Sequence, residues 1–407
     1  MLMTYAPLFA QFLTRTLLVV GLLICSQQLV WSQSVQPKAI EGVFDLRQMN
    51  PEQIRTISLD GEWEFYWEEF LEPAHWQPKG AKVFTSLPSS WNDIKIEGQK
   101  IGSDGFATYR LTLLLPDSVG LMGLKLNVVS TAYRIFINGR EYLTVGMPAT
   151  TKENAIPEYN PSIIFFTPEA SNEIIVQVSN FDHRLGGLRD ELILGDPYVL
   201  MQSRQQAILT ALFLAGCFFM MGLYHLVLYV INRDRAPIFF SLFCFFLTVR
   251  VMVTGEIPIT EIYSPNWNAL IKVEYLTFYL SGIVFLLFFS AMFPKYRVRI
   301  IENICYFSVG TMSVIVLVAQ PVFFTQLLTT MQILIILLMG YTFYILYKEF
   351  KNGNNEAVVF FFGYIFFMIT IVNDILFVDE FIETGHLFFF GLFIFLGSQA
   401  ALLSMRY

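Results

Sequence analysis

The hydrophobic pattern divides the chain into three stretches. The first is short: an apolar run, Thr16 to Ile24, follows Arg15 and gives way to Ser26-Gln27-Gln28. A basic flank, a brief apolar core and a polar exit predict a secretory signal over residues 1–34, with small residues at a suitable cleavage spacing in Ser32-Gln33-Ser34. Leu22-Leu23-Ile24-Cys25 falls short of a lipoprotein signal, because Ile24 stands where a small residue is needed. Left uncleaved, the segment becomes an anchor with the same topology, so the next stretch is exported in either case.

From residue 36 to residue 200 the apolar positions come in short alternating runs broken by Gly, Pro, Asn and Asp, which are strand signals. Tyr133 to Leu143 reads as a hairpin whose Asn138-Gly139 supplies the two positive-φ residues of a type I′ turn. Ile174, Val176 and Val178 share one face of a strand, where a sheet core buries them. Leu111-Thr112-Leu113 and Leu124 to Val128 behave the same way, and no stretch here carries a long amphipathic helical period. The expected architecture is an all-β jelly-roll sandwich.

Beyond Gln206 the chain changes solvent. Seven apolar segments follow over residues 206–404: Gln206–Ile231, Pro237–Val253, Leu270–Phe293, Ile300–Ala319, Phe323–Tyr347, Ala357–Val378 and Leu387–Ser404. Each is near the ~20 residues that cross a ~30 Å hydrocarbon core. Backbone polar groups cannot stay unpaired in lipid, so the segments are predicted as an α-helical seven-transmembrane bundle. Arg233 and Arg235 follow the first span, Lys295, Arg297 and Arg299 the third, Lys348 and Lys351 the fifth, and Arg406 the seventh. The alternate loops, Thr254–Ala269, Gln320–Val322 and Asp379–His386, contain no Lys or Arg. The positive-inside rule then predicts an inner-membrane protein with the β domain outside the cytoplasm and residues 405–407 starting a cytoplasmic tail.

Composition agrees. The 407 residues are 55% hydrophobic and 14% charged, where soluble domains carry about 25% charged residues. A net charge of -7 argues against a nucleic-acid partner, since phosphate binding needs clustered Lys and Arg. Cys25, Cys217, Cys244 and Cys305 all fall in apolar runs, so the exported domain has neither a disulfide framework nor a cysteine metal site.

Two resemblances attach to particular residues. Ser58-Leu59-Asp60-Gly61-Glu62-Trp63-Glu64-Phe65-Tyr66, Leu87-Pro88-Ser89-Ser90-Trp91 and Gly105-Phe106-Ala107-Thr108-Tyr109-Arg110 resemble the galactose-binding-like jelly roll that opens many glycoside hydrolases of the β-galactosidase and β-glucuronidase kind. Ile137-Asn138-Gly139-Arg140 and Val178-Ser179-Asn180 continue that pattern in order. The membrane half resembles the bacterial seven-transmembrane receptors with diverse intracellular signalling modules, through Gly222-Leu223-Tyr224-His225-Leu226-Val227-Leu228-Tyr229, Arg250, Phe293-Pro294, Asn373-Asp374 and Ser398-Gln399-Ala400-Ala401-Leu402. The second resemblance implies an exported sensor feeding a cytosolic output domain such as a cyclase, kinase or phosphatase. The sequence ends at Tyr407, so that output is expected from a partner protein or from a longer form of the chain.

Candidate chemistry is sparse. Trp63, Trp67, Trp76 and Trp91 offer sugar-stacking surfaces, although Trp63 and Trp91 sit at motif positions that suit core packing. Binding groups concentrate on loops held by rigid scaffolds. Glu158 and Tyr159 in one loop, with His183, Arg184 and Arg189 in another, are therefore the candidate ligand residues, and the second loop suits a polyol or docking on the membrane bundle. Glycosidase chemistry needs paired carboxylates across a cleft, and in the enzymes resembled these belong to a separate barrel. Ionisable residues in spans are functional candidates by default, and Arg250, Glu274 and Asp374 share a depth near the outer ends, close to Lys272. His225 lies deeper and reads as a helix contact. The last span lacks the Lys of a retinal pump, and Tyr279 stands where a Gly-x-Ser-Gly protease motif needs glycine. No cofactor, metal or enzymatic activity is expected. The leading expectation is a receptor for a carbohydrate or small-molecule ligand, relaying to a cytosolic output. A small-solute transporter or channel with a sugar-binding-like cap, and an envelope assembly factor binding a partner protein, are the alternatives.

Overall fold

The computed structural model describes residues 37–73, 77–78, 80, 82–116, 119–129, 131–378, 381–382, 384 and 387–406; the expected signal segment and Trp76 lie outside them. The first strands are β1 (Val43–Asp45), β2 (Thr56–Ser58), β3 (Gly61–Trp67), β4 (Val83–Leu87), β5 (Lys95–Ile96), β6 (Gln99–Lys100) and β7 (Gly105–Leu114). Then come β8 (Met122–Leu126), β9 (Ala132–Ile137), β10 (Arg140–Val145), β11 (Ser162–Phe166), β12 (Ser171–Asn180) and β13 (Leu192–Gly195). One sheet runs β10-β9-β12-β7-β3-β4, with β1 parallel beside β7, and a second runs β11-β8-β13-β2. The non-sequential order makes this a jelly-roll sandwich rather than a meander.

The inner faces follow the alternation. Leu111, Leu113, Ile174, Val176 and Val178 of the first sheet are buried in one cluster with Leu124, Leu126 and Leu194 of the second. Burying such side chains contributes about 1.5–3 kcal/mol each. Trp63 and Trp91 are fully buried and belong to this core, and Trp67 meets Trp91 edge-on at 5.2 Å. The Trp63 and Trp91 rings are packing, as their motif positions implied. The Asn138-Gly139 turn has φ of 48° and 79°, and it closes β9 on β10 with Ile137 opposite Arg140.

One strand departs from the simple alternation. Ile175 and Gln177, on the outer face of β12, are buried as well. A strap after β3 covers them: Leu71 N donates to Thr108 Oγ1 (3.0 Å), and Gln177 Nε2 donates to Leu71 O (3.2 Å). A period-two pattern marks the face that meets the partner sheet, but it does not reveal a loop folded over the other.

Among the described residues seven long helices follow: α1 (Pro197–Asn232), α2 (Arg235–Val253), α3 (Trp267–Met292), α4 (Arg299–Val318), α5 (Pro321–Lys351, with a 3-10 stretch at Thr325–Leu327), α6 (Asn355–Val378) and α7 (Phe388–Arg406). Five of them, α1 to α5, are long and apolar enough to cross a membrane, while α6 and α7 have shorter apolar described cores, Gly363–Phe377 and Phe388–Gln399. Their shared interior is aromatic: Phe240 meets Phe288 at 4.8 Å, and Phe367 stacks on Phe395 at 5.3 Å. Lipid removes the hydrophobic drive between helices, so close van der Waals packing must hold them. Gly222 of α1 accordingly lies where a Cβ would meet the Phe245 ring of α2 at 2.9 Å.

No linker separates sandwich from bundle. Gly195 ends β13, Asp196 caps α1 by accepting from the Tyr198 and Val199 amides (2.9 and 3.1 Å), and Pro197 starts the helix. The 36 residues of α1 extend about 54 Å at ~1.5 Å per residue, against a hydrocarbon core of ~30 Å. Hydropathy places the span from Gln206, and the helix starts earlier because its first turns are polar structure joined to the sandwich.

Candidate functional site

The contacts that join the two halves begin on β8. Gly123 leaves room for α1, since a Cβ there would lie 2.9 Å from Leu200 Cδ1. Lys125, 8% exposed, bonds through Nζ to Glu256 Oε1 in the α2–α3 loop. Arg204 of α1 lies 3.5 Å from the other Glu256 oxygen and bonds Glu261 at 2.8 Å. Alternating charges thus run from sandwich to loop to helix. The loop is shaped for this: Ile257 adopts φ 50°, in the left-handed region. That conformation costs a β-branched residue about 1–3 kcal/mol, and it persists because Ile257 is buried with Val253 and Leu270 against Val128 and Tyr159.

Tyr159 is the apolar counterpart. Its ring stands edge-on to Trp267 at 5.6 Å, where Trp267, 5% exposed, opens α3. Its neighbour Glu158 is exposed and accepts from the Gly146 amide at 3.0 Å, bracing its own loop.

The second candidate loop is held just as firmly. Asn180 Nδ2 donates to His183 O (2.8 Å), Asn92 Nδ2 donates to Arg184 O (2.9 Å), and Gly186 N donates to Asn92 Oδ1 (3.1 Å). Gly186 lies on the Trp91 ring, where a Cβ would come within 2.4 Å, and Gly187 takes φ 101°. Only glycines fit this turn. The loop's tip reaches the bundle: the Arg184 amide donates to Thr325 Oγ1, buried at the start of α5, at 3.1 Å. The Arg184 charge also lies within Coulombic reach of Tyr275 and Tyr279 on α3.

His183 is buried with Nδ1 3.0 Å from Leu185 O. Burial first, then the positive charge of Arg189, pulls its imidazole down to about 3 from 6.5. The folded ring stays neutral while the unfolded chain takes up a proton below about pH 6.5. The sign follows: this stability is present above pH ~6.5 and is lost as pH falls toward 3, at about 1.4 kcal/mol per unit. Asp182 runs the other way, since burial, opposed by Lys152 and helped by Asp104, holds its carboxyl up. Thermal denaturation of wild type against His183→Gln isolates the histidine. Wild type is expected to lose about 2 kcal/mol between pH 7 and pH 5 that the variant does not lose; equal losses would assign the pH response to other groups.

Arg250 stands in the last turn of α2, Glu274 in the third turn of α3 and Asp374 near the end of α6. Arg250 Nη1 donates to the Glu274 backbone carbonyl at 2.9 Å, and its guanidinium lies 4.9 Å from the centre of the Phe278 ring. The charges of Glu274 and Asp374 are within Coulombic reach of it. Asp374 also caps α7, accepting from the Leu387 amide at 2.7 Å. Lys272 reaches the Leu317 carbonyl at 2.9 Å. His225 is a buried helix contact, with Nδ1 2.8 Å from Met221 O and its ring 4.5 Å from Phe240.

The sequence reading missed Lys125, Arg204, Glu256, Glu261, Trp267 and Thr325. A signal for part of this set was present: the α2–α3 loop lacks Lys and Arg but holds Glu256 and Glu261, and Arg204 stands just outside the first span.

A β-sandwich rooted without a linker in a bundle of apolar helices defines a multi-pass inner-membrane protein with a large water-soluble domain. Residues 207–406 match the model of the family described as 7TM diverse intracellular signalling. The match takes in the whole helical half, 200 of the 407 residues, and supports a membrane receptor or signalling role for it. No curated protein matches the chain. Among solved structures it is similar to Ruminococcus gnavus beta-glucuronidase and to an uncultured Clostridium sp. beta-glucuronidase, each at 18% identity and a TM-score of 0.27, covering 34% of this chain and 28% of theirs. The Ruminococcus gnavus enzyme in complex with uronic deoxynojirimycin gives 16%, 0.28, 38% and 30%. The chain spans less than a third of the length of these enzymes. A likeness at that level carries no argument, and the sandwich assignment rests on strand order and register instead.

Proposed function

We propose that the protein is an envelope receptor whose exported sandwich takes a ligand and whose seven helices carry its state to a cytosolic output. The observation that supports this most is the seating of two strand-end loops on the bundle, Tyr159 against Trp267 and the Arg184 amide on Thr325. A ligand shifts a bundle only by binding two of its conformations unequally. Loops that hold both ligand and helices are where such inequality is transmitted. The basic residues clustered at the ends of α1, α3 and α5 support an orientation with those ends in the cytoplasm and the sandwich outside.

The ligand is a carbohydrate or another polar small molecule, bound around Glu158, Tyr159, His183, Arg184 and Arg189. The sugar class rests on the motif resemblance to galactose-binding-like domains. The protein acts by binding and relay, without catalysis, and its output comes from a cytosolic partner or domain. Calorimetry of the full chain in lipid nanodiscs against cell-wall and plant glycans is the test, with hydrogen exchange of residues 182–190 read in parallel. A bound glycan is expected to change exchange in that loop, and Arg189→Ala to weaken binding. A glycan that binds with unchanged loop exchange would separate binding from coupling. No binding across the panel would sink the sugar class and favour the assembly-factor reading.

A further inference from the structure

We propose that the membrane face opposite the sandwich carries a binding patch for anionic phospholipid headgroups, built from Lys295, Lys348 and Lys351 with Tyr296, Tyr344 and Tyr347. Each lysine stands over a tyrosine: Lys348 over Tyr344 at 5.6 Å, Lys351 over Tyr347 at 5.4 Å and Lys295 over Tyr296 at 5.2 Å. On α5 each ring lies one turn before its lysine, hence deeper toward the hydrocarbon. Tyr344 and Tyr347 are 50% and 42% exposed, so they face outward from the bundle. Tyrosine rings favour the headgroup level, and lysines above them extend into the phosphate layer.

The two ends of the patch are tied together. Asn352, just after α5, bonds through Nδ2 to the Tyr296 hydroxyl and, at 2.9 Å, to the Lys348 carbonyl. This brings the α3–α4 loop with Lys295 beside the end of α5.

Charge is sorted by depth here. Glu302 is fully buried and held by Arg297 at 2.6 Å and by Ser290 at 2.7 Å. Glu349 is 6% exposed, turned inward and bonded by Asn354 at 3.2 Å. Among the described residues no carboxylate forms an ion pair with Lys295, Lys348 or Lys351. The carboxylates therefore neutralise the interior while the cations remain at the lipid-facing rim. A phosphodiester supplies the missing negative charge, and lysine binds phosphate as a compact point charge. Each lysine near an anionic surface is worth about five-fold in partitioning.

The test is native mass spectrometry of the full chain released from mixed phosphatidylglycerol and phosphatidylcholine. Wild type is expected to retain phosphatidylglycerol preferentially, and Lys348→Gln or Lys351→Gln to lower the preference about five-fold each. Adding Lys295→Gln should bring it close to none, while Lys152→Gln in the sandwich leaves it unchanged. A triple Lys→Arg variant should keep it. If the triple Gln variant fails to insert, the salt dependence of wild-type retention decides: the preference should fall as ionic strength rises. Equal retention of both lipids by wild type, or a Gln triple that still selects phosphatidylglycerol, overturns the proposal. So does a preference indifferent to salt, or one abolished by inorganic phosphate, which would mark a soluble-anion site. A loss of selectivity confined to binding of a cytosolic protein would reassign the patch to that partner.

Discussion

Trp267→Ala is expected to cost about 3–5 kcal/mol, the usual range for removing a buried large aromatic, and to loosen the sandwich from the helices. Trp267 is 5% exposed at the first position of α3, packed with Ile271, Tyr275 and Phe324 inside the bundle and with Tyr159 from above. Tyr159→Ala should cost less, since that ring is half-buried. The edge-on pair itself is worth about 0.5–1.5 kcal/mol in a double-mutant cycle. Thermal denaturation followed by circular dichroism gives the energies. Hydrogen exchange in residues 182–190 and 254–261 reports the junction. Singles that add without coupling, with protection intact in both segments, would show that the ring contact does not join the halves.

Glu256→Gln, which breaks two ion pairs, is expected to destabilise the junction more than Lys125→Met, which breaks one. Glu256 serves two cations, Lys125 and Arg204, with side chains 10% and 27% exposed. Neutralising it leaves Lys125 buried beside an amide, and an uncompensated buried charge costs roughly 3–5 kcal/mol. Lys125→Met removes the buried cation instead and leaves Glu256 near Arg204, so a loss of about 1–2 kcal/mol is expected. Arg204 retains Glu261 at 2.8 Å in either case. The same denaturation measurement ranks the variants. An equal or reversed order would mean that water at the junction already screens these charges.

Much of the architecture was legible in the chain because it follows from local periodicity. Alternation at Leu111–Leu113, Leu124–Leu126 and Ile174–Val178 marks the faces that meet in the sandwich, and each of these leucines, with Ile174, Val176 and Val178, is buried. The Asn138-Gly139 turn follows from which residues tolerate positive φ. Long apolar runs require helices wherever water is absent, whatever the neighbours are. Periodicity also identified the loops that hold Tyr159 and Arg184, without identifying what they touch.

The junction was not legible, because it depends on pairs far apart in sequence. Lys125 and Glu256 are separated by 131 residues, and Arg184 and Thr325 by 141. Nothing local marks Lys125 as different from any strand lysine; its partner comes to it only when β13 runs straight into α1 and sets the sandwich on the α2–α3 loop. The strap over β12 escaped the pattern for the same reason, since burial of Gln177 rests on Leu71, 106 residues away. Sequence by itself determined the solvent of each segment and the faces of the strands, both set by hydropathy and backbone chemistry within a few residues. Tertiary structure alone decided which loops became the contact between sandwich and helices, because that contact is made by side chains that meet only after both halves have folded.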